Sequence, residues 1–261
     1  MRRLANFIGG ESVAPRSGKY VKLLSPVTGQ PFAEMPVSSF KGERLDYDVL
    51  WIGMVVGHAA IECLPTTNPG LIAVRTTSKA NKSIQSLYPV LDTIQSLLDP
   101  RTGLPVQFRK SQREGGYSAE IRIDFRRAQD VATVSSTIKG EVKPDTALTL
   151  SGGEYDLLSA FQFVRSSDLE PGKSQYLSMV DNRKRFASVE IRCVRRENLK
   201  MDTGLVRTLL VEPKLHGDAL FASRGKLFLW VTDDEWHIPV RMESKITLGT
   251  IRANLVSRRA P

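Results

Sequence analysis

The sequence predicts a mainly β protein of the α+β class: one strongly curved antiparallel sheet, or half-barrel, with about two short helices. Three observations carry this. Apolar and polar residues alternate with period two over many short segments. Glycines interrupt the apolar runs at Gly53, Gly57 and Gly249, where a strand must bend or bulge. Helical spacing of apolar residues is confined to two stretches.

The elements follow in order. Residues 1–40 predict two or three short strands punctuated by Gly and Pro, with a turn at Ser25-Pro26-Val27-Thr28-Gly29. That piece is too small to bury a core alone. It is set apart as a short β extension, and 41–261 as a single curved-sheet domain. From Gly42 the pattern changes: Tyr47, Val49 and Trp51 alternate with Asp46, Asp48 and Leu50. Leu71 to Thr77 is a further strand. Ile84, Leu87, Leu91, Ile94 and Leu98 recur at helical spacing, so a helix is expected from near Pro89 to Asp99. Leu104 to Lys110 and Tyr117 to Arg127 form a hairpin around Glu114-Gly115-Gly116. In its second arm Ala119, Ile121, Ile123 and Phe125 face one side, and Glu120, Arg122, Asp124 and Arg126 the other.

Asp156 to Val164 reads as a short amphipathic helix with Leu157, Leu158, Phe161 and Val164 as its stripe. Strands then recur at Gln175 to Val180, Arg185 to Val194, Leu205 to Glu212 and Lys226 to Val231. A final run covers Ile238 to Val256. Its apolar phase slips by one residue at Gly249, which predicts a bulge or sharp bend within a long strand.

The bulk numbers exclude some classes. With 41% hydrophobic and 25% charged residues, the 261-residue chain can bury a globular core. No run approaches the roughly 20 apolar residues of a membrane span. Met1-Arg2-Arg3 is not followed by an apolar stretch, so the start does not read as a signal peptide, and the chain as written is expected in the cytoplasm. The net charge of +9 raises nucleic acid and anionic lipid as partners. The bases are dispersed, however, and no stacking aromatics interleave with them, which disfavours nucleic acid. Cys63 and Cys193 are distant in sequence and read as free thiols, with pairing left open.

Catalytic, metal and cofactor sites find no support. Asp233-Asp234-Glu235-Trp236-His237 is the densest polar cluster, yet consecutive residues at a hairpin tip point apart. His58, His216 and His237 stand in no nucleophile or zinc motif. The Gly-Gly pairs lack the strand and helix context of a nucleotide loop.

Two stretches carry resemblances. Leu4-Ala5-Asn6-Phe7-Ile8-Gly9-Gly10-Glu11 through Ser39 resembles the N-terminal edge of aldehyde dehydrogenases. None of that family's dinucleotide loop, catalytic glutamate or nucleophilic cysteine follows, so no dehydrogenase activity is implied. Residues 42–256 resemble domain-of-unknown-function family 3108. The matching stretches are Gly42-Glu43-Arg44-Leu45-Asp46-Tyr47-Asp48-Val49, Asp156-Leu157-Leu158-Ser159-Ala160, Glu212-Pro213 and the terminal strands. That resemblance implies a bacterial, exported (periplasmic) protein without established activity, similar in strand pattern to half-barrel lipid carriers. The juxtaposition of the two resemblances reads as a fusion.

The expectation drawn from this is a non-enzymatic envelope-type module. It would hold a lipid or other apolar small molecule in its concave face, with Tyr47, Trp51, Phe161, Phe228 and Trp230 as wall residues. The alternative is a structural or envelope-assembly protein that binds another envelope protein through a sheet edge.

Overall fold

The computed structural model describes residues 40–215, 226–246 and 249–260, together with five short N-terminal strands. The expected turn at Ser25 to Gly29, His216 and Leu248 lie outside the described residues. The N-terminal strands pair with one another. β4 (Tyr20–Leu24) is antiparallel to β5 (Pro31–Pro36), and β1 (Arg2–Arg3) is parallel to it; β2 (Asn6–Ile8) and β3 (Glu11–Val13) form a hairpin.

One fifteen-stranded sheet dominates the rest. Its first half is a meander of β6 (Arg44–Trp51), β7 (Met54–Pro65), β8 (Ile72–Ala80), β9 (Leu91–Leu98), β10 (Pro105–Glu114), β11 (Tyr117–Arg126), β12 (Val131–Ile138) and β13 (Glu141–Thr149). Its second half begins with the two-residue β14 (Glu154–Tyr155). It then runs through β15 (Ser174–Asp181), β16 (Lys184–Met201), β17 (Gly204–Leu215), β18 (Leu227–Thr232), β19 (Pro239–Ile246) and β20 (Gly249–Arg259). β20 pairs antiparallel with β6, from Ile251 opposite Trp51 to Arg259 opposite Arg44. The chain's first and last strands of this sheet therefore sit in its middle, and its two margins are β13 and β14. All neighbours are antiparallel except β14 and β15.

The sheet curls until its ends meet. Val180 on β15 shares a buried cluster with Phe108, Ile121 and Ile123 of β10 and β11 and Val134 of β12. The interior is filled by α2 (Leu157–Ser166), whose stripe reaches three clusters. Phe163 and Val164 pack on β15–β18, Leu158 packs on β6–β8, and Leu157 touches the β10–β12 cluster. Phe161 touches the first two together. Asp156 starts this helix with a capping box, accepting from the Ser159 amide at 2.8 Å while the Asp156 amide donates to Ser159 Oγ at 2.7 Å.

Two expected elements are corrected. The helix expected from Pro89 is the strand β9, and the only helix in that region is the single turn α1 (Lys82–Gln85). Ile94 and Leu98 of β9 turn inward by alternation, with Ser96 between them hydrogen-bonded to Asp156. That polar contact breaks the apolar period-two signal. The phase slip at Gly249 is a hairpin turn between β19 and β20 rather than a bulge in one strand.

Candidate functional site

The five expected wall residues do not converge. Tyr47 lies fully buried on β6 facing α2, its hydroxyl donating to the Pro239 carbonyl at 2.8 Å; burial holds the phenol far above its ordinary pKa. Phe161 faces the same interior from the helix. Phe228 and Trp230 point to the opposite face of β18, where they pack with Leu199, Met201, Val206 and Leu210. They are covered there by the far half of the β16–β17 hairpin, whose Glu197 accepts from Trp230 Nε1 at 2.7 Å. Trp51 ends β6, with Gly249 beside its indole nitrogen. Tyr47 and Phe161 thus share a wall, and Phe228 and Trp230 belong to another layer. Alternation could not tell the faces apart, because Leu227 to Val231 is apolar on both phases.

Polar groups inside the sheet fasten α2 and were not anticipated from sequence. The Arg165 guanidinium is buried and donates to Glu43 at 2.6 and 3.1 Å. It stacks over the Phe40 ring at 4.1 Å, and Arg258 joins the same carboxylate at 3.1 Å. His237 Nδ1 lies 3.1 Å from the Arg165 carbonyl. Burial pushes the Asp156 carboxyl up to about 6. Burial alone would also raise Glu154, but hydrogen bonds from the Ser151 amide and Arg185 hold it below the usual range. Cys63 and Cys193 are both free and buried, and burial pushes their thiols up to about 12 and about 11. Such thiols are poor nucleophiles. Among the described residues no group of three His, Cys, Asp or Glu side chains could hold a metal ion.

A surface cleft of about 510 Å³ lies over β9–β13. Its lining side chains are mostly committed to neighbours: Arg122 to Asp124 at 2.7 Å, Arg109 to Gln107 at 2.8 Å, and Ser111 to Glu120 at 2.6 Å. It offers a polar surface without a convergent set of donors.

The seam between β13 and β14 is the distinctive place in the sheet. The two margins are separated by four residues of chain, 150–153, yet no backbone ladder joins them. Side chains span the gap instead. Arg183, in the β15–β16 turn, donates to the Pro144 carbonyl of β13 at 2.7 Å. Arg127 donates to the carbonyls of Pro105, Gly152 and Glu154 at 3.2, 3.1 and 2.8 Å. Arg185 reaches Glu154 at 2.7 Å. β13 is exposed along most of its nine residues, including Val142 at 81%. β14 covers β15 only at Ser178 and Met179. On the β13 side the seam thus presents an exposed strand with no ladder partner beyond β12, whereas β14 and the Leu177–Asp181 part of β15 are buried.

The family described as "Protein of unknown function (DUF3108)" matches residues 46–256. A 36-residue stretch is 58% identical to probable aldehyde dehydrogenases of Mycobacterium bovis and Mycobacterium tuberculosis; it covers 14% of this chain, and the chain spans only 7% of those relatives' length. A β-barrel-like protein of domain of unknown function DUF1849 from Brucella abortus is similar at a TM-score of 0.55 and 13% identity, over 84% of this chain and 97% of that one. At that identity it shows the fold alone. The hypothetical protein CT021 of Chlamydia trachomatis aligns at a TM-score of 0.32 and 10% identity, over 83% of this chain and 87% of its own, too weakly to carry an argument. No helix among the described residues is long and apolar enough to cross a membrane.

Proposed function

The chain belongs to the DUF3108 family of proteins of unknown function, and from that premise we propose that it is a non-enzymatic binding module. It receives an extended segment of a partner protein at the open seam of its sheet. The observation that carries this reading is the seam itself: a fifteen-stranded sheet curled back on itself whose margins, β13 and β14, share no ladder. A strand entering there pairs with β13 on one side and continues the line of β14 along β15 on the other. Backbone hydrogen bonds supply affinity, and pockets for alternate side chains supply specificity. Arg183 then exchanges its contact with the Pro144 carbonyl for the incoming backbone.

A lipid or other apolar ligand in the concave face is the weaker reading. α2 and three buried clusters occupy that space, so a ligand has to displace the helix. A periplasmic setting is the second part of the proposal; the family resemblance noted from the sequence supports it.

Site-specific photocrosslinking from Val142 in the native host tests the seam. The expected result is a discrete protein adduct from Val142 and none from the equally exposed Leu205 at the far tip of β16–β17. Indistinguishable adducts from both positions reject the reading. So does native mass spectrometry of the purified chain that shows a lipid-sized mass lost on denaturation, which restores the carrier.

A further inference from the structure

We infer that the end of the sheet opposite the acidic β18–β19 turn docks on an anionic lipid surface. The turns there are stitched into one surface. Asn81 Nδ2 donates to the Val55 carbonyl at 2.7 Å, and the Gly115 amide to the Pro89 carbonyl at 2.8 Å. The Arg113 amide donates to Asp92 at 2.8 Å. The Tyr88 ring covers Gly115 so closely that a Cβ there would fall 2.6 Å from it.

This surface is apolar at its summit. Ile52, Met54, Val55, Leu87, Tyr88 and Leu91 all lie on it. They are six of the eleven exposed large apolar side chains among the described residues, with Leu87 exposed to 82%. Single exposed apolar residues are ordinary, but this grouping is not.

The charge around it has one dominant sign. Lys79, Lys82 and Arg113 are exposed in the same patch. Lys139, Lys184, Lys226 and Lys245 are exposed at the tips or strand ends around the same end. Among the described residues of this end, the exposed carboxylates are Glu141, held by Lys143 at 2.5 Å, and Glu120, which accepts from the Ser111 hydroxyl at 2.6 Å. Asp92 and Glu114 are half-buried, and Asp48 is held by His58 at 2.8 Å. At the other end Asp130, Asp168, Glu170, Asp202 and Asp234 are exposed among a mixture of bases. Exposed bases are present there too (Lys41, Arg101, Arg126, Lys200, Arg207 and Arg259), so what sets the first end apart is the apolar summit among its bases. Apolar tips ringed by lysines match a layer of anionic headgroups over acyl chains: the tips enter the interface and the bases meet phosphates.

Cosedimentation of the full chain with vesicles tests this. One set is phosphatidylcholine alone, and the other is phosphatidylcholine and phosphatidylglycerol in equal parts. The expected result is binding to the anionic set only, reversed by high salt. Lys79→Gln with Lys82→Gln should weaken it roughly thirty-fold, and Leu87→Ser with Met54→Ser should weaken it at every salt concentration. Lys200→Gln, at the far end, should change nothing. Leu87→Ala is the milder variant should the serine pair lower the unfolding temperature. Absence of binding to either set, or equal loss from Lys200→Gln, overturns the inference. So does a dimer in light scattering that Leu87→Ser dissolves, because a second copy then covers the patch. Crosslinking at the seam reads a different surface, so the two tests can fail separately.

Discussion

Asp156 caps α2 from a fully buried position, and burial pushes its carboxyl up to about 6. In an unfolded chain the same group titrates near about 3.9. Between those values the folded state holds a proton that the unfolded state has released. The stability tied to this proton is complete below about pH 4 and is lost as pH rises through about 6, a change on the order of 2–3 kcal/mol. Asp92 shifts in the same direction, first from burial and then from its neighbour Glu114. Asp156→Asn keeps an oxygen for the Ser159 amide and removes the buried charge. Urea unfolding at acid and neutral pH should show the variant at least as stable as the parent at neutral pH, with a flatter pH dependence. An identical pH slope in both proteins would reject the assignment. At this scale the sequence revealed the helix but neither its capping box nor the burial of Asp156. Nothing in the spacing of Asp156 and Ser96, sixty residues apart, announces that they meet.

Elements were legible wherever one face is wet. β11 alternates cleanly because Arg122 and Asp124 pair on the outside while Ile121 and Ile123 fill the core. β9 was misread for the converse reason. Its inward positions include Asp92 and Ser96, so the apolar residues that remain mimic a helical period. β18 was recognised as a strand, but its two apolar faces hid that Phe228 and Trp230 serve a second layer beneath β16–β17. Gly57 in β7 was read as a bend. The structure adds a close approach: a Cβ there would sit 2.5 Å from the Lys79 carbonyl of β8, and backbone cannot retreat as a flexible side chain does. Gly57→Ala should therefore cost about 1–3 kcal/mol in chemical denaturation with its slope unchanged. A loss under about 0.5 kcal/mol would mean that the β7–β8 pair yields at no cost.

For the whole molecule, counting alternating strands was enough to expect one curved sheet, and the β-barrel-like Brucella abortus structure is similar in fold. Strand order was beyond reach, because pairing of β6 with β20 joins residues about two hundred apart and no local pattern records it. Such distant pairing raises contact order and slows folding. It also has a constructive side. Arg44 and Arg259 face each other across adjacent antiparallel strands, so a short linker from Arg259 back to Phe40, which keeps Phe40 and Glu43 for Arg165, could join the two ends. Opening the chain between Gly152 and Gly153 would then give a circular permutant in which order along the chain equals order across the sheet, from β14 through β20 and β6 to β13. That permutant should refold faster than the parent in stopped-flow measurements at similar stability; slower refolding would show that the β13–β14 link, rather than the β6–β20 pairing, organises the folding nucleus. Seen this way, the sheet from β15 to β13 is a linear meander with β14 added in parallel at its margin, and its natural breakpoint has been moved from the margin to the middle.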